Sequence, residues 1–217
     1  MCDRRKQHAY PTTQTLGANE HMAGFRITVN GKQLASVSNE GRNIVTVQIH
    51  GDVIGEELAV IDVFGGLYEG NETDSHLIWV NDHQITSGDE VEVTFLDDIG
   101  TSHRGMTIKE LHPETEQQMG PYQPMEEIFK DLVKKPRLRE KFSFELVPSH
   151  REPIHSCTSP NEYMFHFTAM WKWTKPKQAR VSLTSNSLEG IEKRTDGVKH
   201  AGFSLQFGQG VKLRVGT

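Results

Sequence analysis

The chain has 217 residues, 24 Lys/Arg against 29 Asp/Glu, a formal net charge of -5 and a hydrophobic fraction of 35%. That length can bury a sizeable core in one large β domain or two small ones, while the low apolar fraction demands many loops and exposed strand faces. No apolar run reaches the roughly 18 residues of a membrane span, and the basic start has no apolar core behind it, so neither a membrane helix nor a secretory signal is predicted.

Cys2 and Cys157 lie far apart and make no disulfide framework, so a reducing cytoplasm is the expected compartment. The net charge hides an asymmetry: residues 1–125 hold 8 Lys/Arg against 19 Asp/Glu, and residues 126–217 hold 16 against 10. Opposite halves of this kind mark two different surfaces or two parts that attract each other. The basic residues are scattered and follow no nucleic-acid-binding motif, which disfavours a nucleic-acid partner.

In chain order, residues 1–21 are polar and aperiodic and read as a disordered leader. Phe25, Ile27 and Val29 then alternate with polar residues up to Asn30-Gly31, whose left-handed preference fits a tight hairpin turn before a second strand over 32–38. Ile44–His50 reads as a third strand. Leu58–Phe64 is apolar on both faces except at Asp62 and suits a central strand. After an acidic loop over 67–75 come a short strand over 76–80, a polar turn at Asn81-Asp82-His83, and a strand over 90–96 launched by Ser87-Gly88-Asp89. Short strands with turn signals at this spacing predict an antiparallel sandwich or barrel for residues 22–112.

Residues 113–136 break the pattern with several prolines and hold one helix, 125–135, with Glu126 and Glu127 at its positive end, Lys134 and Lys135 at its negative end, and Ile128, Phe129, Leu132 and Val133 as its apolar stripe. A second β-rich part follows over 137–217. It has strands over 142–147, 179–184, 203–207 and 211–215, with a loop at 150–160 and a helical turn near 188–193. Both parts end in a Gly-bearing turn leading into an alternating strand, SGDEVEVTF and FGQGVKLRV. That ending is common to many β domains, so no repeat is read from it.

The strongest pattern is YMFHFTAMWKWT, residues 163–174. Tyr163, Phe165, Phe167, Ala169, Trp171 and Trp173 fall on one side of a strand, with His166 among those on the other. Each ring removes about 150–250 Å² from water, worth about 4–6 kcal/mol at about 25 cal/mol/Å², so a second sheet must cover that face. Trp171 and Trp173, nearest the hairpin end and close to Lys172, Lys175, Lys177 and Arg180, are the first choice for a contact surface together with Arg180.

Four sets of residues bear on chemistry. His150, His155 and Cys157, with His166 on the aromatic strand, are good zinc ligands, but their spacing matches no recognised zinc signature. Glu69, Glu72, Asp74, Asp97, Asp98 and Asp52 are acidic loop residues of the kind that hold calcium, without the twelve-residue calcium loop. Asp62, as a carboxylate in an apolar run, is the catalytic candidate; its structural alternatives are a carboxylate bonded to backbone amides or an arginine, or a strand face that is simply wet. Neither a nucleophile elbow nor a phosphate-binding Gly-rich loop is present.

The sequence therefore predicts a mainly β protein of antiparallel sandwich or barrel-like sheets, in two β-rich parts joined by one helix. Its expected role is non-enzymatic binding through sheet surfaces, without a cofactor and with a protein as partner. The competing class is a zinc- or iron-dependent β-barrel using the His/Cys set.

Overall fold

The computed structural model describes residues 22–68, 76–113 and 124–217. Twelve strands follow one another as β1 (Gly24–Val29), β2 (Lys32–Ser38), β3 (Ile44–Asp52), β4 (Ala59–Gly66), β5 (Leu77–Ile85), β6 (Glu90–Leu96), β7 (Ser143–Pro148), β8 (Ile154–Cys157), β9 (Met164–Lys172), β10 (Gln178–Asn186), β11 (Val198–Gln206) and β12 (Gly210–Gly216). Three helices within the described residues interrupt them: α1 (Ile108–Leu111), α2 (Met125–Lys134) and α3 (Leu188–Glu192). Among the described residues no helix is long and apolar enough to cross a membrane.

The strands form two open six-stranded antiparallel sheets, sheet A in the order β2-β1-β6-β12-β7-β8 and sheet B in the order β11-β10-β9-β3-β4-β5. Alternation decides which residues meet between them. Val45, Val47 and Ile49 of β3, Ile61 and Val63 of β4, and Phe165, Phe167 and Trp171 of β9 point inward from sheet B. They face Phe25 and Ile27 of β1, Val91, Val93 and Phe95 of β6, Phe144 and Leu146 of β7, and Val211 and Leu213 of β12. All of these join a single buried cluster. Phe165 sits edge-on to Phe142 at 4.8 Å and to Phe144 at 5.0 Å, the geometry in which one ring's positive edge meets another's negative face.

The two β-rich parts are not separate bodies. Each contributes three strands to each sheet, and pairing of β6 with β12 and of β3 with β9 joins them. Replacing every strand of the first part by the strand six places later reverses the order of each sheet, so the halves are related by an approximate twofold axis. The axis runs between Gln48 and Thr168 in sheet B and between Glu92 and Lys212 in sheet A.

Backbone bonds repeat across the axis. Asn30 N–H donates to Glu90 O at 2.9 Å as Ser149 N–H does to Gly210 O at 2.9 Å, and Val53 N–H to Tyr163 O at 3.0 Å as Trp173 N–H to Asn43 O at 3.0 Å. The turn before β6 matches the turn before β12 in detail. Thr86 N–H donates to Asp89 Oδ2 and Gln206 N–H to Gln209 Oε1, while Gly88 and Gly208 both take left-handed φ, 96° and 80°. The segments SGDEVEVTF and FGQGVKLRV are thus equivalent strands of a duplicated plan.

Other expectations need correction. Asn81-Asp82-His83 is not a turn: β5 continues through it, and Asp82, at φ 50°, lies in an irregular part of the β4 pairing. Residues 154–157 form β8 inside the expected loop, and β11 begins at Val198 instead of Phe203. The aromatic strand ends at Lys172, leaving Trp173 beyond the core. Helix α2 buries Phe129 and packs against α3, but Val133 is 69% exposed and outside the apolar stripe. The acids Glu69, Glu72 and Asp74 lie outside the described residues.

Candidate functional site

The outward residues of β3, β4, β9, β10 and β11 build one polar face on sheet B. Near the axis His50 of β3 stands directly opposite His166 of β9, and their rings stack at 5.7 Å and 28°. His50 Nε2 donates to Asp62 Oδ2 at 2.9 Å, and Asp82 N–H donates to Asp62 Oδ1 at 2.9 Å. Gln48 Nε2 donates to His166 Nδ1 at 3.1 Å. Burial pushes the Asp62 carboxyl upward, but the His50 bond, the Asp82 amide and the His50 charge outweigh it and hold the group below its ordinary value. Burial, and secondarily the neighbouring His50, pushes His166 below the usual histidine range.

A general base works best when its pKa is raised towards neutrality, and Asp62 has moved the other way with both oxygens engaged. The carboxylate pins β4 to β3 through His50 and to the β5 irregularity through the single amide of Asp82.

Beyond Thr168 the same face changes character. A groove of about 740 Å³ is lined by Thr168, Met170, Thr174, Gln178, Ser182 and Ser204 together with four cations, Lys172, Lys175, Arg180 and Lys199. No acid is among the lining residues, and none of the four cations forms an ion pair with a described residue. Gly202 explains how Lys199 reaches the groove: a Cβ there would meet Lys199 Cε at 2.3 Å and Nζ at 2.6 Å, so the lysine lies flat across the glycine. Opposite, the outer face of sheet A neutralises itself. Glu90 binds Lys212 at 2.7 Å and Arg214 at 2.6 Å, and Arg214 also binds Glu145 at 2.8 Å.

The contact residues read from the sequence divide. Arg180 lines the groove. Trp173, 61% exposed, stands between two lining residues, Lys172 and Thr174. Trp171 is 2% exposed and donates its indole N–H to Pro176 O at 2.9 Å, so it is a core residue and leaves the contact set.

The His/Cys set does not converge. His150 rests edge-on against Phe203 at 5.8 Å, His155 and Cys157 stand opposite Glu145 and Ser143 at the edge of sheet A, and His166 is on sheet B. Among the described residues no group of three or more His, Cys, Asp or Glu is placed to hold a metal ion. In the calcium set, Asp52 spends its carboxylate on the N–H groups of Ile54 and Gly55 in its own turn.

Lys199, Gln48 and His50 were not singled out from the sequence. The pairing that brings His50 to His166 is long-range and carries no local signal, whereas the Lys199 to Gly202 spacing is local but reads as an ordinary polar stretch. Ser185 Oγ and His200 Nε2 lie 2.6 Å apart, another unforeseen pair, but Ser185 is 0% exposed and no substrate reaches its hydroxyl. Comparison with known proteins gives no match: no family model, no curated protein and no solved structure is similar to this chain.

Proposed function

We propose that the protein is a non-enzymatic binding module whose contact face is the outer side of β9, β10 and β11 and whose partner is a protein presenting acidic groups. The observation that carries this reading is the groove of four cations, with no acid in its lining and no ion pair among the described residues. Holding like charges on one face costs electrostatic energy, which an anionic partner recovers on docking while also gaining in encounter rate. The hydroxyls of Thr168, Thr174, Ser182 and Ser204 supply directional bonds, and Trp173 at the rim supplies apolar area of the kind that anchors protein interfaces.

A protein suits the groove better than a nucleic acid because Phe203 is the one aromatic residue of its lining, too few for a row of rings on which successive bases could stack. The test places a photo-crosslinking amino acid at Trp173 in the source cell and compares the full chain with its Lys172→Glu/Arg180→Glu/Lys199→Glu variant. Protein adducts that vanish on charge reversal support the reading. Adducts to nucleic acid, or adducts unaffected by reversal, overturn it.

A further inference from the structure

The lateral edges of the sandwich differ among the described residues. On the N-terminal side residues 100–106 run from the outer edge of β2, which they meet at Ser36 and Ser38, to the outer edge of β5, which they meet at Ile78 and Trp79. Ser102 N–H donates to Ser36 O at 2.9 Å, Ser36 N–H to Ser102 Oγ at 3.0 Å, and Ser36 Oγ to Gly100 O at 2.8 Å. Ile78 and Met106 then exchange both backbone bonds at 2.8 Å, a strand-like pairing. The segment fits closely, since a Cβ on Gly105 would meet Leu77 Cβ and Trp79 Cε2 at 2.9 Å.

On the C-terminal side the equivalent edges are those of β8 and β11. Among the described residues nothing pairs with the outer edge of either strand. β11 is nine residues long, with Val198 55% exposed and a bulge at His200 where its register against β10 shifts, so residues 201–206 supply its regular run of edge donors and acceptors, a template for another extended chain. Here Lys199, Gly202 and Ser204 of β11 also line the basic groove, so edge and groove form one surface.

We propose that an extended acidic segment of a partner protein adds to the outer edge of β11 as a further strand of sheet B. Alternate side chains of that strand lie over the groove, and its carboxylates meet Lys199 and, one strand further in, Arg180. This deepens the proposed binding function and rests on it. The surface selects the occupant: the unpaired outer edge of β11 calls for an extended backbone, and the four groove cations, without an ion pair among the described residues, fix the sign of the charge. Backbone pairing supplies binding without sequence readout, and the spacing of acids at every second position supplies the specificity.

The experiment uses the full chain and a fluorescent nine-residue peptide alternating glutamate and valine, read by anisotropy at low salt. A second peptide carries N-methyl groups on alternate backbone nitrogens, which removes one edge of donors and keeps every charge. A lysine-valine peptide and a thymidine oligonucleotide of equal charge complete the set. The expected result is binding of the first peptide, weakened about tenfold or more by N-methylation and by Arg180→Glu/Lys199→Glu, with new hydrogen-exchange protection confined to residues 198–206. Thermal melting shows that the double variant, changed at exposed positions only, is folded.

Equal binding of the methylated and unmethylated peptides, both lost on charge reversal, overturns strand addition and leaves the acidic-partner reading standing. Tighter binding of the oligonucleotide, or no binding of any acidic peptide, overturns both.

Discussion

At Asp52, Val60 and Asp62 the N-terminal half of sheet B carries an acid, an aliphatic side chain and a second acid; at the equivalent points of the C-terminal half stand Lys172, Arg180 and Ser182. Inside the sandwich the same comparison gives Val45 against Phe165 and Val47 against Phe167, all 0% exposed. These inward positions have kept apolar character and changed only volume, while the outward ones have moved from acidic or neutral to basic or neutral. Packing constrains the first set and leaves the second free to change charge, so differences between two copies of one plan separate scaffold from surface. At the edges, residues 100–106 bond to β2 and β5, while among the described residues no strand pairs with the outer edge of β11.

The comparison breaks first if the halves do not fold together. Phe165→Ala should cost about 3–5 kcal/mol, because it opens a cavity between the sheets, and Val45→Ala at the equivalent place about 2 kcal/mol. In both variants, denaturant unfolding followed by the buried Trp79 of one half and Trp171 of the other, each studied alone after the remaining tryptophans are replaced by Phe, should give coincident curves. Separate midpoints would show two independent units and end the account of a shared core.

A smaller effect sharpens the equivalence of the turns. Gly88 and Gly208 take left-handed backbone with open space where a Cβ would stand, so Ala at either costs only the conformational penalty, about 1 kcal/mol. Equal losses in the two variants, read from urea midpoints, support the duplicated plan; markedly unequal losses would show that the matching bonds around the turns are not matched in energy.

The histidine pair gives a pH-dependent prediction. The folded pKa of His166 is depressed, so its neutral form contributes stability that is complete above the ordinary value of 6.5 and is lost as pH falls through the depressed folded value. The depressed Asp62 adds a loss only further down, below its ordinary 3.8. His166→Gln keeps a polar group beside Gln48 and removes the titration. Its melting temperature should therefore fall less than that of the parent between pH 7 and pH 5; an identical fall would place the sensitivity elsewhere, with His76 and His200, both depressed by burial, as the next sites to replace.

The smallest effect concerns the salt-bridged face of sheet A. Glu90→Gln loosens a link between β6 and β12, but Lys212 and Arg214 are largely in solvent and salt screens them. A slight loss of stability at low salt that disappears at high salt is expected in melting curves. A loss that persists at high salt would mean that Glu90 acts by packing.

Much of this architecture was legible in the residues. Period-two alternation placed β1, β3, β6, β9 and β12, because an inward face buried by a second sheet leaves an unambiguous trace. Asn30-Gly31 announced the first hairpin for the same local reason, and both residues take positive φ. What could not be read depends on which strands become neighbours. Cross-seam pairing is set by total burial and not by local preference, so the residues left open whether the two β-rich stretches form one body. The groove was half visible, since Lys172, Lys175 and Arg180 stood near the tryptophans, yet parity alone could not tell that Trp171 lies within the sandwich while Trp173 lies past its end. Asp82 was misread because a polar trio favours a turn unless a carboxylate such as Asp62 holds its backbone inside a strand.

The axis through Gln48 and Thr168 has an evolutionary corollary. An isologous contact is self-complementary, so a six-stranded ancestor could have closed by meeting a second copy of itself through β3 and β6, as symmetric dimers do. Tandem joining of the two genes would free each copy from having to match its twin, and only then could the outer face of one half acquire cations that the other lacks.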